Sequence, residues 1–155
     1  MRTRMLMIAA LLISFMQVAI GQHEKRSVLL PSSESKTVSD YYSSVRSEKI
    51  GGSWQPSKAD LEGIEASLSQ IPNMKIFGWD SKIHIDHPDQ YYRQYIAVLV
   101  DGKRMIFVNA FRHAQEFPNW HDRLVIVTDG DINFWQALYD PSTMQFSNLR
   151  INFRA

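Results

Sequence analysis

The residues best suited to metal binding or proton transfer lie in one short run, residues 84–89. In an extended segment His84 and Asp86 would point to the same side, which is how a metal site can begin. His113 and His121, the imidazoles that could complete a ligand set, lie far along the chain. A solvated loop accounts for the run, so we predict no metal site. His84 and Asp86 remain the polar groups of an alternative ligand pocket.

Other patterns that could carry out catalysis are incomplete. Asp129-Gly130-Asp131 pairs two carboxylates, but Ile132 and Asn133 follow where a calcium loop would continue with acidic residues, so a hairpin turn explains the run. The sequence has no G-x-S-x-G nucleophile elbow and no glycine-rich phosphate loop. It also contains no cysteine, which excludes thiol nucleophiles and cysteine-bound metals. We therefore predict no catalytic residues and no cofactor, and we favour a non-enzymatic function.

Aromatic and arginine side chains offer a different chemistry, the recognition of proteins. Such residues are typical anchors of protein interfaces. Residues 113–122 form a long loop that carries apolar side chains, and packing in a core explains apolar residues at a loop tip less readily. For each of these residues, burial in the core of the domain is the alternative interpretation. We expect a protein or peptide partner to contact Phe117, Trp120, Trp135, Tyr139 and Arg112.

One helix is clearly marked in the sequence. Ser57 is suited to the N-cap position, and Asp60 follows three residues later, as in an acidic variant of the capping box. Apolar residues then recur at helical spacing on one face, and Pro72 ends the pattern. These apolar residues are Leu61, Ile64, Leu68 and Ile71. A helix that is apolar on one side needs a sheet on which to pack.

The rest of the chain reads as antiparallel strands. Asp101-Gly102 joins residues 92–100 to residues 104–111, which is a strong hairpin signal because both turn residues must adopt positive φ. A second pair, 124–128 and 132–139, flanks the turn at 129–131. The last strand, 144–153, changes its apolar phase, which predicts a bulge near Ser147-Asn148. Residues 75–79 and 82–86 are short additional candidates.

The two strands of the first hairpin are apolar on both faces. Ile96 and Val98 alternate with Ala97 and Leu99, whereas a sheet with one solvated face would alternate apolar with polar residues. Something must therefore cover the second face. Strong curvature of the sheet, the segment that precedes the helix, or another protein chain could do so.

A helix followed by a curved antiparallel meander resembles the cystatin-like fold, with the NTF2-like fold as its neighbour, over residues 50–155. The chain also has three segments in the same order as the three inhibitory segments of cystatins. They are Gly51-Gly52, residues 94–98 and residues 118–120. Val98 stands where the cystatin hairpin has glycine, and Asn119 separates the proline from the tryptophan. The resemblance therefore implies an α+β fold with one helix on a curved antiparallel sheet of four to five strands. It does not extend to the inhibitory site.

Several short segments are also similar to short exported bacterial proteins without an assigned activity. These segments are residues 93–95, 108–111, 129–130, 134–135 and 139–141.

The N-terminus predicts export. Arg2 and Arg4 precede an apolar run over residues 5–16, and Ala19 and Gly21 fit the small-residue positions of a cleavage site, so residues 1–21 are typical of a secretory signal peptide. We expect a periplasmic or secreted protein that is not held in a membrane after cleavage. Residues 22–49 are rich in serine and predict a flexible leader, with one helical turn near residues 41–45. Residues 50–155 form the predicted single domain.

The charge balance narrows the class of partner. The chain has 17 lysines and arginines against 16 aspartates and glutamates, which argues against a nucleic-acid binder. Our leading hypothesis is an exported, non-enzymatic domain that binds a protein or peptide. An inhibitor of its partner is one form that this hypothesis includes. The alternative is an NTF2-like ligand-binding protein or enzyme whose pocket, between helix and sheet, holds His84 and Asp86. A third possibility is self-association through the sheet.

Overall fold

The computed structural model describes residues 25–42, 49–78 and 83–152. The predicted signal peptide lies outside these residues. The described chain is an α+β protein with a mixed, open sheet of six strands. No helix within the described residues is long and apolar enough to cross a membrane.

The elements are few and most of them are short. Two strands, β3 and β4, form the centre of the sheet. The strand order is β1-β3-β4-β5-β6, and β2 pairs with the second half of β3. The strands are β1 (Ser27–Leu29), β2 (Ile50–Gly51), β3 (Tyr92–Val100), β4 (Lys103–Phe111), β5 (Asp131–Asp140) and β6 (Gln145–Asn152). The helices are α1 (Glu34–Tyr42) and α2 (Lys58–Ser67), with 3-10 turns at Leu68–Asn73, Pro88–Gln90 and Ala114–Glu116.

The central hairpin forms as its turn sequence predicts. Asp101 and Gly102 have φ values of 49° and 80°, the left-handed conformation that a two-residue turn needs. β3 and β4 then pair without interruption from Tyr92 opposite Phe111 to Val100 opposite Lys103. The predicted bulge in the last strand is confirmed, because the register of β6 against β5 shifts and Asn148 has a φ of 53°.

Helix α2 begins as predicted. The Asp60 backbone N–H donates to Ser57 Oγ at 3.2 Å, and Asp60 Oδ2 accepts from the Ser57 backbone N–H at 2.7 Å, which completes the capping box. The α-helix ends at Ser67, earlier than predicted, and a 3-10 turn continues through Pro72 to Asn73. The predicted apolar residues Ile64 and Ile71 are fully buried. They pack against one face of the sheet together with Trp135 and Tyr139.

The second face of the sheet is covered by the segment predicted to be a flexible leader. β1 pairs in parallel with residues 93–95 of β3, and α1 lays Val38 and Tyr42 against Ile96 and Phe107. The flexible-leader prediction therefore does not hold for residues 27–42. The helix there begins at Glu34, before the expected turn. Because the sheet is apolar on both faces, the apolar side chains of this serine-rich stretch can pack against it, and this packing orders the stretch.

The predicted strand at residues 124–128 is wrong. β4 pairs directly with β5, and the connection between them, residues 112–130, folds back over the same face of the sheet that α1 covers. We call this connection the crossing loop. Leu124 and Val125 are buried in it without belonging to a strand. The described parts of the candidates at 75–79 and 82–86 are also not strands. The sheet therefore holds four long antiparallel strands with two short strands on one edge.

Candidate functional site

Three uncharged amide side chains form a buried row across the middle of the sheet. Gln94 on β3 lies opposite Asn109 on β4, which lies opposite Gln136 on β5. All three are at most 1% exposed and point toward the crossing loop. Buried amides are costly unless their donors and acceptors are paired, so their partners identify what they hold. We call these residues the amide row.

The amide row holds the backbone of the crossing loop. Gln94 Nε2 donates to the carbonyl oxygens of Trp120 and Arg123, at 2.6 Å each, and Gln94 Oε1 accepts from the Val125 N–H at 2.9 Å. Asn109 Nδ2 donates to the Val125 carbonyl oxygen and to Gln94 Oε1, both at 2.9 Å. Val125 therefore satisfies its backbone through side-chain amides where a strand would use a neighbouring strand.

Two further contacts fix the row and the loop. Gln136 Nε2 donates to Asn109 Oδ1 at 3.2 Å, which closes the row at β5. The Leu124 N–H donates to Glu34 Oε2 at 3.2 Å, which ties the loop to the first turn of α1. The path of the loop is thus set by the sheet beneath it and by the helix beside it.

An open cleft of about 260 Å³ runs along the outer surface of the crossing loop, between residues 116 and 126. Its apolar lining includes Phe117, which is half-buried, and Ile126, which is 40% exposed. Arg123 lies at the same cleft and is exposed, and none of the described carboxylates lies within ion-pair distance of it. The cleft thus combines apolar side chains with one cation, Arg123, and one carboxylate, Glu116, which does not form an ion pair with it.

Three of the five predicted partner-binding residues belong to the core. Trp135 and Tyr139 are fully buried on the α2 face of the sheet. Trp120 is 5% exposed and packs edge-on against Tyr92 and Phe111, with ring centroids 5.4 and 5.8 Å apart. Trp135 and Tyr139 present no accessible ring to a partner, whereas Trp120, although mostly buried, belongs to the lining of the cleft. Their replacement would therefore damage the fold as well as any interface.

The other two predicted residues lie nearer the surface. Phe117 lines the cleft and packs edge-on against Phe111 at a centroid distance of 5.4 Å. Arg112 is half-buried, and its guanidinium lies over the Tyr91 ring at 4.7 Å, where it supports the base of the loop.

Sequence reasoning missed the amide row and Arg123. A polar amide flanked by apolar residues in a strand, as Gln94 is near Ile96, was the available signal.

His84 and Asp86 do not share an enclosed pocket. Both are exposed in the irregular segment that precedes the Pro88–Gln90 turn. The space between α2 and the sheet is filled by buried core side chains, including Ile64 and Tyr139. Among the residues that the structure describes, no group of three histidine or acidic side chains could hold a metal ion.

A charged cluster between α2 and β3 joins the buried Arg93 to Glu65, which is exposed. Arg93 donates to Glu65 Oε2 at 3.0 Å and to the carbonyl oxygens of Pro88 and Tyr91, which ties α2 and the 3-10 turn to the sheet. Burial raises the pKa of the neighbouring Tyr95 hydroxyl above its ordinary range, so this group stays neutral at physiological pH. The contacts of Arg93 therefore join α2 to the sheet.

Asp140, at the end of β5, should make stability depend on acidity. Burial alone would raise its pKa, but hydrogen bonds from Lys103 and Ser142 outweigh burial and lower the pKa from 3.8 to about 2. Since the folded pKa is depressed, its contribution is complete above about pH 4 and is lost as pH falls through about 2. We expect Asp140→Asn to lower the free energy of unfolding by about 2 kcal/mol at pH 7.

The measurement for this prediction is urea unfolding of both proteins at pH 7 and near pH 2.5. The difference between wild type and variant should shrink at the acidic pH. An equal difference at both pH values would show that the Asp140 charge is not the cause.

No family model, curated protein or solved structure matches this chain. Inference about function therefore comes from the surfaces of the molecule itself. At the crossing loop those surfaces offer an apolar cleft, an exposed cation and a rigid backbone. This arrangement can hold a complementary side chain and a neighbouring carboxylate.

Proposed function

We propose that this protein is an exported, non-enzymatic binding domain that recognises a protein or peptide through the cleft of the crossing loop, residues 116–126. The observation that carries the proposal is the combination of an open apolar cleft, an Arg123 without an anionic partner, and a loop backbone held by the amide row. Export rests on the N-terminal sequence pattern alone.

The size of the cleft favours a macromolecular partner over a small metabolite. Pockets for drug-sized ligands usually enclose about 300–1,000 Å³, whereas this cleft is open and holds about 260 Å³. That volume suits one apolar anchor side chain, which is how a few residues dominate many protein interfaces. The remainder of the partner would lie across the exposed rim that Pro118 and Ile126 form.

Charge defines the preferred partner more closely. Arg123 presents several N–H donors in a planar fork that matches a carboxylate. We therefore expect the recognised segment to place an aspartate, a glutamate or a C-terminal carboxylate beside its apolar anchor. The amide row lowers the cost of binding, since the loop backbone is already ordered before the partner arrives.

The cystatin-like arrangement belongs to the same proposal. Its support is the order of one helix, α2, followed by the antiparallel meander β3–β6. Self-association through the sheet has less support, because α1 and the crossing loop already cover the second face. The NTF2-like pocket has no supporting observation at His84 or Asp86, which are exposed.

The proposal is tested by selecting ligands from a phage-displayed library of random decapeptides on the full chain and measuring their affinity by fluorescence anisotropy. We expect enriched peptides to combine a large apolar residue with an adjacent acidic residue. Arg123→Gln should weaken their binding about tenfold or more, because it removes a charge-assisted pair.

Arg104→Gln is the matched control, since Arg104 is an exposed arginine near the opposite end of β4 from the loop. Peptides that bind wild type and Arg123→Gln equally would contradict the placement of the site. Failure to enrich any peptide would contradict peptide recognition itself.

A further inference from the structure

A second cleft, of about 410 Å³, lies where the start of β4 meets the N-terminal end of α2 and the turn after β5. Its walls carry one indole ring, two cations, one carboxylate and one hydroxyl. The residues are Trp54, Lys103, Arg104, Asp60 and Ser142. This cleft carries two cations, where the crossing-loop cleft carries one.

Arg104 is positioned to receive an anion. Its guanidinium lies over the Trp54 ring at 5.6 Å from the centroid, and the indole is fixed because Trp54 Nε1 donates to the Met105 carbonyl oxygen at 2.9 Å. At this distance the guanidinium is within cation–π range of the ring, and the interaction uses none of its N–H donors. None of the acidic side chains described by the structure pairs with Arg104. A ligand carboxylate would therefore find an oriented and uncompensated partner.

The remaining groups favour hydroxyls near that carboxylate. Asp60 makes its capping contacts through Oδ2, which leaves Oδ1 as a hydrogen-bond acceptor. Ser142 Oγ donates to Asp140 Oδ1 at 2.6 Å and retains acceptor capacity. Lys103 is paired with Asp140, yet its side chain is 58% exposed, so it can donate further hydrogen bonds. The cleft thus offers both donors and acceptors beside one aromatic ring.

We propose that this second cleft binds a sugar acid, a saccharide that carries a carboxylate on its ring. The carboxylate pairs with Arg104, and the ring hydroxyls bond to Asp60 and Ser142. A volume of about 410 Å³ gives room for one or two sugar rings. The site is separate from the crossing-loop cleft, so it stands whether or not peptide recognition holds.

The experiment is isothermal titration calorimetry of the full chain with trigalacturonate, sodium glucuronate, glucose and sodium acetate. We expect both sugar acids to bind, and glucose and acetate to bind at least about tenfold more weakly, since each lacks one half of the recognised chemistry. Trigalacturonate binding more tightly than glucuronate would assign the site to a polysaccharide. Equal affinity per ring would assign it to the free sugar acid. Both results support the proposal.

Variants locate the binding. Arg104→Gln should weaken trigalacturonate binding about tenfold or more, and Arg104→Lys should weaken it less, because lysine keeps the charge but loses the planar fork. Arg123→Gln is the control and should bind like wild type. Arg104 is exposed, so its variants should unfold at the wild-type urea concentration. The proposal is overturned if acetate binds as tightly as the sugar acids, if no sugar acid binds, or if Arg104→Gln leaves the affinity unchanged.

Discussion

Replacing Gln94 with leucine should lower the free energy of unfolding by about 3 kcal/mol or more. The substitution leaves the Val125 N–H and the carbonyl oxygens of Trp120 and Arg123 without their buried partner. Each such group costs about 1–3 kcal/mol when it stays buried and unpaired, and entering water recovers only part of that cost. Since small domains are stable by about 5–15 kcal/mol, this one side chain accounts for a large share. Urea unfolding monitored by circular dichroism measures the change.

Gln115→Leu is the matched control for that experiment. Gln115 lies in the same crossing loop but is exposed, so its replacement should change stability by at most about 0.5 kcal/mol. A loss below about 1 kcal/mol for Gln94→Leu would mean that the amide row does not hold the loop. If the row does hold it, any Gln94→Leu protein that remains folded should also bind selected peptides more weakly than the Gln115→Leu variant.

Trp135→Ala should destabilise the protein by about 3–5 kcal/mol. The Trp135 side chain is fully buried beneath α2 and meets the Tyr91 ring at a centroid distance of 5.9 Å. Truncation loses the transfer energy of the indole and leaves a cavity that the rigid sheet cannot close. Trp135→Phe should cost less, because much of the ring volume remains. Thermal and urea unfolding of the three proteins measure the series.

This series distinguishes a core residue from an interface anchor. If Trp135 were a surface anchor, its truncation would weaken partner binding and leave the stability of the protein unchanged. The aromatic pattern of the sequence alone suggested such a surface role for Trp135. Phe77→Ala is the control, since Phe77 is an aromatic residue that is 62% exposed, and it should cost less than about 1 kcal/mol. Equal stability of Trp135→Ala and wild type would contradict the core assignment.

Local signals in the sequence predicted local structure well. Ser57 with Asp60 marked the start of α2, and Asp101-Gly102 marked the central turn, because each motif meets a backbone requirement within a few residues. The two apolar faces of β3 also correctly required a second cover. They could not say which segment supplies it, since that choice depends on contacts distant in sequence.

The wrong predictions share one physical cause, because each of them depended on contacts between residues that are distant in sequence. Residues 124–128 are rich in β-branched residues, as a strand is, but the hydrogen-bond needs of Val125 are met by the side chains of Gln94 and Asn109. Serines in residues 22–49 suggested a flexible leader, while a few apolar residues such as Val38 were enough to anchor a helix on the sheet. The aromatic residues were recognised, but whether each one is buried depends on which sheet face it lies on, and Trp135 and Tyr139 lie on the face that α2 covers.

The most direct test of the proposed function is an NMR titration of the ¹⁵N-labelled full chain with the tightest selected decapeptide. We expect the largest amide shift changes to fall on residues 116–126 and to be much smaller for Arg123→Gln at the same peptide concentration. Amides near Trp54 and Arg104 should stay unperturbed. Shift changes that instead cluster on α1, on α2 or on the second cleft would contradict recognition through the crossing loop.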